Sequence, residues 1–120
     1  MSRINWFEIP VTDMTRATQF YGQIFGITLK ADPAMPGYHM AMFPSQGGVD
    51  GALLQGEGYT PSKTGSLVYL NGGEDLAKVL NRVEAAGGKI LQPKTSIGEN
   101  GFMAFFEDTE GNKIGLHSMH

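Results

Sequence analysis

The chain contains no cysteine, which excludes disulfides, a thiolate nucleophile and thiolate metal ligands. It also lacks any run of lysines or arginines, because nine basic residues are set against twelve acidic ones, for a net charge of −3. We therefore expect no nucleic-acid-binding surface. No apolar segment is long enough to span a bilayer, and the first residues form no signal-peptide core. These absences predict a cytoplasmic protein with neither a nucleic-acid partner nor a membrane partner.

The most prominent feature that is present is an internal duplication. A helix-like segment begins at Asp13 and ends at Gly26, and a second one of the same length begins at Asp75 and ends at Gly88. Segments 43–55 and 106–118 also resemble each other. With 41% apolar residues over 120 positions, the chain can bury a real core. We predict a single domain over residues 1–120, with module one at 1–58 and module two at 64–120.

Each module follows the same order of predicted elements, β-α-β-β-β. Alternating or β-rich segments predict eight strands, at 4–11, 27–31, 39–43, 51–55, 66–70, 89–92, 102–107 and 113–118. Apolar residues at helical spacing predict the two helices, and a polar loop is expected at 94–101. Gly111-Asn112 is a hairpin signal between the last two strands. The fold class is therefore α+β, with two tandem modules.

The alternation of residue types predicts which strand face each helix covers. In the first strand the apolar row of Phe7 and Ile9 suits the helix side, so Trp6 and Glu8 would point to the open side. In the last strand Ile114 and Leu116 suit the helix side, which leaves 115 and 117 on the open side. An open face of this kind must meet the sister module, a partner subunit or a ligand.

The chain resembles the vicinal oxygen chelate superfamily at both ends. The opening segment Phe7-Glu8-Ile9-Pro10-Val11, followed by Phe20-Tyr21 and Phe25-Gly26, is similar to the start of that superfamily, and residues 106–116 are similar to its closing signature. The superfamily includes lactoylglutathione lyase, bleomycin-resistance proteins and extradiol dioxygenases. The closest resemblance is to small bacterial proteins related to lactoylglutathione lyase. It implies an open barrel-like sheet around a small-molecule cavity, and a homodimer.

The resemblance also implies where a metal would bind, namely on the first and last strands of each module. Those positions hold Trp6, Ala52, Gly115 and either Val68 or Ser66. Tryptophan, alanine, valine and glycine side chains are not metal ligands, since divalent cations prefer imidazole, carboxylate or thiolate. We therefore predict no cofactor. A divalent metal held by a shifted set of ligands remains an alternative.

One step further along the same strand faces, the duplication places Glu8, Leu54, Leu70 and His117. Glu8 and His117 are ionisable and would form an acid–base pair if they reached one cavity, within one chain or across a dimer. Proton abstraction next to a carbonyl is the reaction that such a pair suits best. We expect Trp6, Leu54 and Leu70 to contact the ligand. Alternatively, Glu8 binds backbone in a dimer interface and His117 has no catalytic role.

Three functions therefore remain open from the sequence. The first is a small-molecule-binding protein that acts as a metal-independent lyase or isomerase through Glu8 and His117. The second is a binding protein that sequesters a drug or metabolite without turnover, as bleomycin-resistance proteins do. The third is a metal-dependent lyase or dioxygenase with a shifted ligand set.

Overall fold

The computed structural model describes residues 3–33, 36–45, 47 and 50–120. Within these residues, eight strands and two α-helices follow one another along the chain. Their bounds are β1 Trp6–Pro10, α1 Met14–Phe25, β2 Lys30–Pro33, β3 His39–Met42, β4 Asp50–Gln55, β5 Tyr69–Asn71, α2 Ala77–Leu80, β6 Lys89–Ser96, β7 Phe102–Glu107 and β8 Lys113–Ser118. Within the described part of the chain, neither helix is long and apolar enough to cross a membrane.

The strands form two four-stranded sheets with the same topology. The first has the order β1-β4-β3-β2 and the second the order β5-β8-β7-β6. In each sheet the first strand pairs in parallel with the fourth, and the other pairings are antiparallel. The predicted α+β fold of two duplicated β-α-β-β-β modules is confirmed.

Helix α1 matches its prediction because its ends carry clear local signals. The Asp13 side chain accepts a hydrogen bond from the Arg16 amide at 3.1 Å, which satisfies one of the free amides of the first turn. Gly26 ends the helix in the left-handed conformation, with φ 64°, which glycine adopts without steric cost. The buried face consists of Ala17, Phe20, Tyr21 and Ile24.

The second helix is shorter than predicted. It ends at Leu80, and the chain continues to Gly87 in turns whose bonds mostly span three residues, such as Val83 N–H to the Leu80 carbonyl. The apolar side chains at helical spacing in this segment, including Leu76, Val79 and Val83, are nevertheless buried. The apolar spacing therefore identified the buried face correctly and the type of backbone incorrectly, since tight turns also bring residues three apart onto one side.

Two strands of the second module also differ from prediction. β5 begins at Tyr69, later than the predicted residue 66. β6 extends to Ser96, with register shifts between Ile90 and Thr95, and a short 3₁₀-helix at Gly98–Asn100 follows where a polar loop was expected. The other strands agree with their predictions to within about three residues, the usual uncertainty of such boundaries.

One continuous core joins the modules, and the buried face of α1 forms part of it. The Phe20 ring packs on Phe106 of β7 at 5.8 Å between centroids, and the Tyr21 ring packs edge-on against Phe43 at 5.7 Å. The Tyr21 hydroxyl donates a 2.7 Å hydrogen bond to buried Asp108. Burial, together with the negative charge of Asp108, raises the pKa of Tyr21 well above its usual value.

The turn between β7 and β8 holds the junction of β1 and α1. Glu110 accepts the backbone amides of Thr12 and Asp13, both at 2.9 Å, and the Arg16 Nε at 2.7 Å. Asn112 donates to the Pro10 carbonyl at 2.7 Å. Burial raises the pKa of Glu110, but these hydrogen bonds outweigh it and lower the pKa to about 2. The second module therefore fixes the start of the first module's helix.

Candidate functional site

The open faces of the two sheets carry the predicted site residues. In the first sheet Trp6 lies opposite Asp50 and Glu8 opposite Ala52, on the side away from α1. Ile9 is buried in the core, as its predicted position on the helix side requires. Side chains paired across a sheet point to the same face, so this register defines which groups a ligand would meet.

Trp6 lines a cleft of about 930 Å³ between the first strands of the two modules. Its side chain is 41% exposed, so much of the indole is open to solvent. The walls of the cleft are mostly aromatic and aliphatic, and Asp50 and Asn71 are polar exceptions. The lining residues are Ile4, Trp6, Phe7, Phe25, Ile27, Phe43, Pro44, Asp50, Leu67, Val68, Tyr69, Leu70, Asn71 and Gly73.

Glu8 is exposed and is held by two neighbours. Its carboxylate accepts the Trp6 indole N–H at 3.3 Å and the Tyr59 hydroxyl at 3.1 Å. The second bond favours the neutral phenol, so it raises the pKa of Tyr59. Leu54 is buried, opposite Pro10 in β1. Neither Glu8 nor Leu54 is among the described residues that line this cleft.

His117 lines a second cleft, of about 690 Å³, at the end of the second sheet. Its Nε2 is hydrogen-bonded to the Asn100 carbonyl oxygen. Leu70 lies at the boundary of the two clefts and lines both, together with Tyr69, Asn71 and Gly73. The lining residues of this second cleft are Tyr69, Leu70, Asn71, Gly73, Ile97, Asn100, Met103, His117, Ser118, Met119 and His120.

The structure places Glu8 and His117 in different sheets. Within the described part of the chain the hydrogen-bond partners of Glu8 are Trp6 and Tyr59, and that of His117 is Asn100. Glu8 also lies outside the cleft that His117 lines. The chain by itself does not join the two groups, and their cooperation as an acid–base pair stays a prediction.

The position of β5 changes the face assignment in the second module. Tyr69 lies opposite Gly115, and Leu70 lies opposite Leu116. Leu70 and Leu116 are both core residues, so Leu70 points to the helix side and not to the open side that His117 shares. The predicted positions Val68 and Leu70 are therefore one residue out of step with the strand, and Tyr69 occupies the open side.

Three residues on this open face were not identified from the sequence. The Tyr69 ring lies 5.8 Å from the Phe105 ring, and the Lys113 ammonium lies 4.3 Å from the centre of Phe105. The hairpin signal at Gly111-Asn112 could have found two of them, because it sets the register that puts Phe105 opposite Gly115. Tyr69 depends on the placement of β5, which no local signal fixes.

Comparison with known proteins settles the family. Residues 3–116 match the model of the Glyoxalase/Bleomycin resistance protein/Dioxygenase superfamily. The chain belongs to this superfamily. A glyoxylase-like domain-containing protein from Didymella fabae is 34% identical over 115 residues, which cover 92% of this chain and 88% of that protein.

Two solved structures share the fold. A glyoxalase I variant from Zea mays superposes with a TM-score of 0.73 at 26% identity, over 95% of this chain and 46% of the maize chain. The chain thus spans about half the length of that relative. TnmS3, an antibiotic binding protein from Streptomyces sp. CB03234, superposes with a TM-score of 0.67 at 24% identity, over 100% of this chain and 98% of that chain.

The residues present do not fit the metal site of many superfamily members. The structure keeps Trp6, Ala52 and Gly115 on the open faces, where the ligands would stand, and Tyr69 lies opposite Gly115 on β5. None of these side chains is a usual ligand for a divalent cation. Among the described residues, no three histidine, aspartate or glutamate side chains converge.

Proposed function

We propose that this protein binds a small, largely apolar molecule in the cleft between its modules and holds it without turnover. The observation that carries the proposal is the place of Trp6. This residue occupies a position where the superfamily resemblance implies a metal ligand, and its indole lines the inter-module cleft. An exposed tryptophan offers a large flat surface for stacking and a polar N–H.

The shape of the cleft supports this function. Its volume of about 930 Å³ lies near the upper end of the range of about 300–1,000 Å³ typical of small-molecule sites. Its apolar walls would contribute the contact area, while Asp50 and Asn71 would orient polar groups of the ligand. Such a composition, mostly hydrophobic with a few placed polar groups, is usual for ligand pockets.

The antibiotic-binding relative TnmS3 supports the same reading by analogy. The two chains cover each other almost completely in the superposition. TnmS3 is therefore an example of an antibiotic binding protein with this fold and about this chain length. Analogy at the level of fold does not assign a ligand, because one fold supports many functions. We therefore propose the ligand class from the cleft alone, as a compact molecule with an aromatic or polycyclic surface.

The single tryptophan makes the proposal directly testable. Titration with a panel of aromatic and polycyclic compounds should change Trp6 fluorescence in a saturable way. Isothermal titration should give one binding site per cleft. A ligand at a hundred times its Kd should stabilise the protein by about 2.7 kcal/mol in a thermal unfolding assay.

Two variants distinguish binding in the cleft from non-specific hydrophobic binding. Trp6→Ala should raise the Kd about tenfold, since a stacked aromatic contact contributes about 0.5–1.5 kcal/mol in addition to its buried apolar area, and both are lost. Leu91→Ala is the matched control, because Leu91 is also an exposed apolar side chain and lies on β6, outside both clefts. Equal affinities for the two variants, or no saturable binder in the panel, would reject the proposal.

A second candidate is the metal-independent lyase or isomerase predicted from the sequence. It is favoured by the open-face positions of both Glu8 and His117, since the homodimer implied by the family resemblance would allow one subunit's Glu8 to approach the other's His117. Turnover of a carbonyl substrate that is lost in both Glu8→Gln and His117→Ala would establish it. Stoichiometric metal in protein purified without chelator would instead favour a metal enzyme with shifted ligands.

A further inference from the structure

We propose that Tyr69, Phe105 and Lys113 form a surface that selects planar aromatic anions, and that Gly115 is the residue that makes this surface possible. The inference rests on the proposed binding function and adds a charge preference to it: Tyr69 lines the inter-module cleft, and the other three residues adjoin Tyr69 outside the lining of either cleft. We call these four residues the aromatic platform. They lie together on the open face of the second sheet, on β5, β7 and β8.

Gly115 determines where the Tyr69 ring lies. A Cβ atom added at Gly115 would stand 2.6 Å from Tyr69 Cδ1 and 2.8 Å from Cε1, far inside contact distance. The ring therefore occupies the space that a side chain at position 115 would fill. The superfamily resemblance implies a ligand side chain at this position, and here an aromatic ring covers it instead.

The Tyr69 ring is supported from below and remains accessible from above. It rests against Phe105, with 5.8 Å between centroids and a tilt of 52°. Tyr69 is nevertheless 48% exposed and lines both clefts. A ring that packs against a neighbour and is still half exposed is suited to stacking against a flat partner, because tyrosine has few rotatable bonds and little side-chain freedom is lost on binding.

Lys113 gives the platform its charge preference. Its ammonium lies 4.3 Å from the centre of the Phe105 ring, and the side chain is half-buried. Glu107 lies opposite it in the hairpin, but the Glu107 carboxylate is paired with Lys63 at 3.2 Å. Among the described residues Lys113 has no carboxylate within ion-pair distance, so an anionic group of a ligand would be its partner.

The combination defines the ligand class. The aromatic rings favour a planar π-system, and the ammonium beside them favours a carboxylate or sulfonate in the plane of that system. A neutral planar compound would keep the stacking and lose the charge contact. A non-planar anion would keep the charge contact and lose the stacking.

Three probes test this selectivity in the intact protein. Cinnamate is a planar aromatic anion, cinnamamide is its neutral counterpart, and cyclohexanepropionate is an anion without a planar ring. Titrations followed by amide NMR shifts should show cinnamate binding most tightly, with the largest shifts at Phe105, Lys113 and Gly115. Lys113→Met should raise the Kd for cinnamate about tenfold, the equivalent of about 1.4 kcal/mol, and leave that for cinnamamide unchanged.

Further variants separate stacking from charge. Tyr69→Leu should weaken both aromatic probes, and Gly115→Ala should do the same because its methyl group would displace the ring. Lys78→Met is the control, since it removes an equal charge from the exposed side of α2. Equal effects of Lys113→Met and Lys78→Met, or cinnamate shifts confined to the Trp6 side of the cleft, would overturn the platform and leave the proposed binding function intact. Failure of every compound at both places would overturn both.

Discussion

The contact of Glu110 with the start of α1 gives the sharpest prediction for stability. The Glu110 side chain is fully buried, and its two oxygens accept bonds from the amides of Thr12 and Asp13, from the Arg16 guanidinium and from Thr109. Glu110→Gln keeps the size of the side chain and removes its charge. The variant would leave the Arg16 charge and the two amides that precede the helix with a weaker acceptor.

The loss of stability expected for Glu110→Gln can be worked out from the pKa of Glu110. Lowering the pKa of Glu110 from 4.5 to about 2 on folding corresponds to about 3 kcal/mol. Arg16 is 49% exposed, so solvent screens part of its contribution, and we expect Glu110→Gln to lose about 2 kcal/mol at pH 7. Because the folded-state pKa is the lower one, this stabilisation is complete above the unfolded value of 4.5 and is lost as the pH falls through about 2.

Urea unfolding measures the prediction directly. At a slope of about 1–3 kcal/mol per molar, the variant's midpoint should fall by about 1 M at pH 7, and the gap to the wild-type protein should narrow as the pH is lowered below 4.5. Glu84→Gln, at an exposed site, should change stability by less than about 0.5 kcal/mol. Equal stability of the two variants at pH 7, or a gap that does not narrow in acid, would refute the reasoning.

Two further predictions concern buried positions. Tyr21→Phe should cost about 1–3 kcal/mol in urea unfolding, because buried Asp108 loses the 2.7 Å bond from the tyrosine hydroxyl; a change below about 0.5 kcal/mol would contradict this. Gly101→Ala should lower stability more than Gly58→Ala. Both glycines have positive φ, but only at Gly101 would the methyl group overlap a carbonyl oxygen, that of Ser118. Equal thermal midpoints for the two variants would show that the contact with the Ser118 carbonyl does not affect stability.

Local signals explain which parts of the fold were predictable. Asp13 and Gly26 fixed the ends of α1, and the hairpin at residues 111–112 fixed β7 and β8, because caps and turns act through neighbouring residues. The sequence next to the second helix could not predict the position of β5. Its register depends on the parallel pairing of Tyr69 with Gly115, which lies far away in sequence.

The candidate site was predictable in part for the same reason. Trp6 and His117 lie on strands that the sequence defined well, and each lines a cleft. Leu70 was assigned to the wrong face because its strand was displaced by one residue, and a shift of one reverses every side chain. Phe105 and Lys113 could be recognised as site residues only once the position of the Tyr69 ring was known. That position depends on the absence of a side chain at Gly115.

The hydrogen bond from the Thr12 amide to Glu110 cannot form early in synthesis on the ribosome. The two residues are 98 positions apart, so the amide of Thr12, just before α1, lacks its carboxylate acceptor until 98 further residues have been made. At about 5–20 residues per second, this interval lasts roughly 5–20 s. During that time the apolar face of α1 also lacks Phe106. The apolar face of α1 therefore stays partly uncovered during this interval, and the final packing of the first module follows the synthesis of the second.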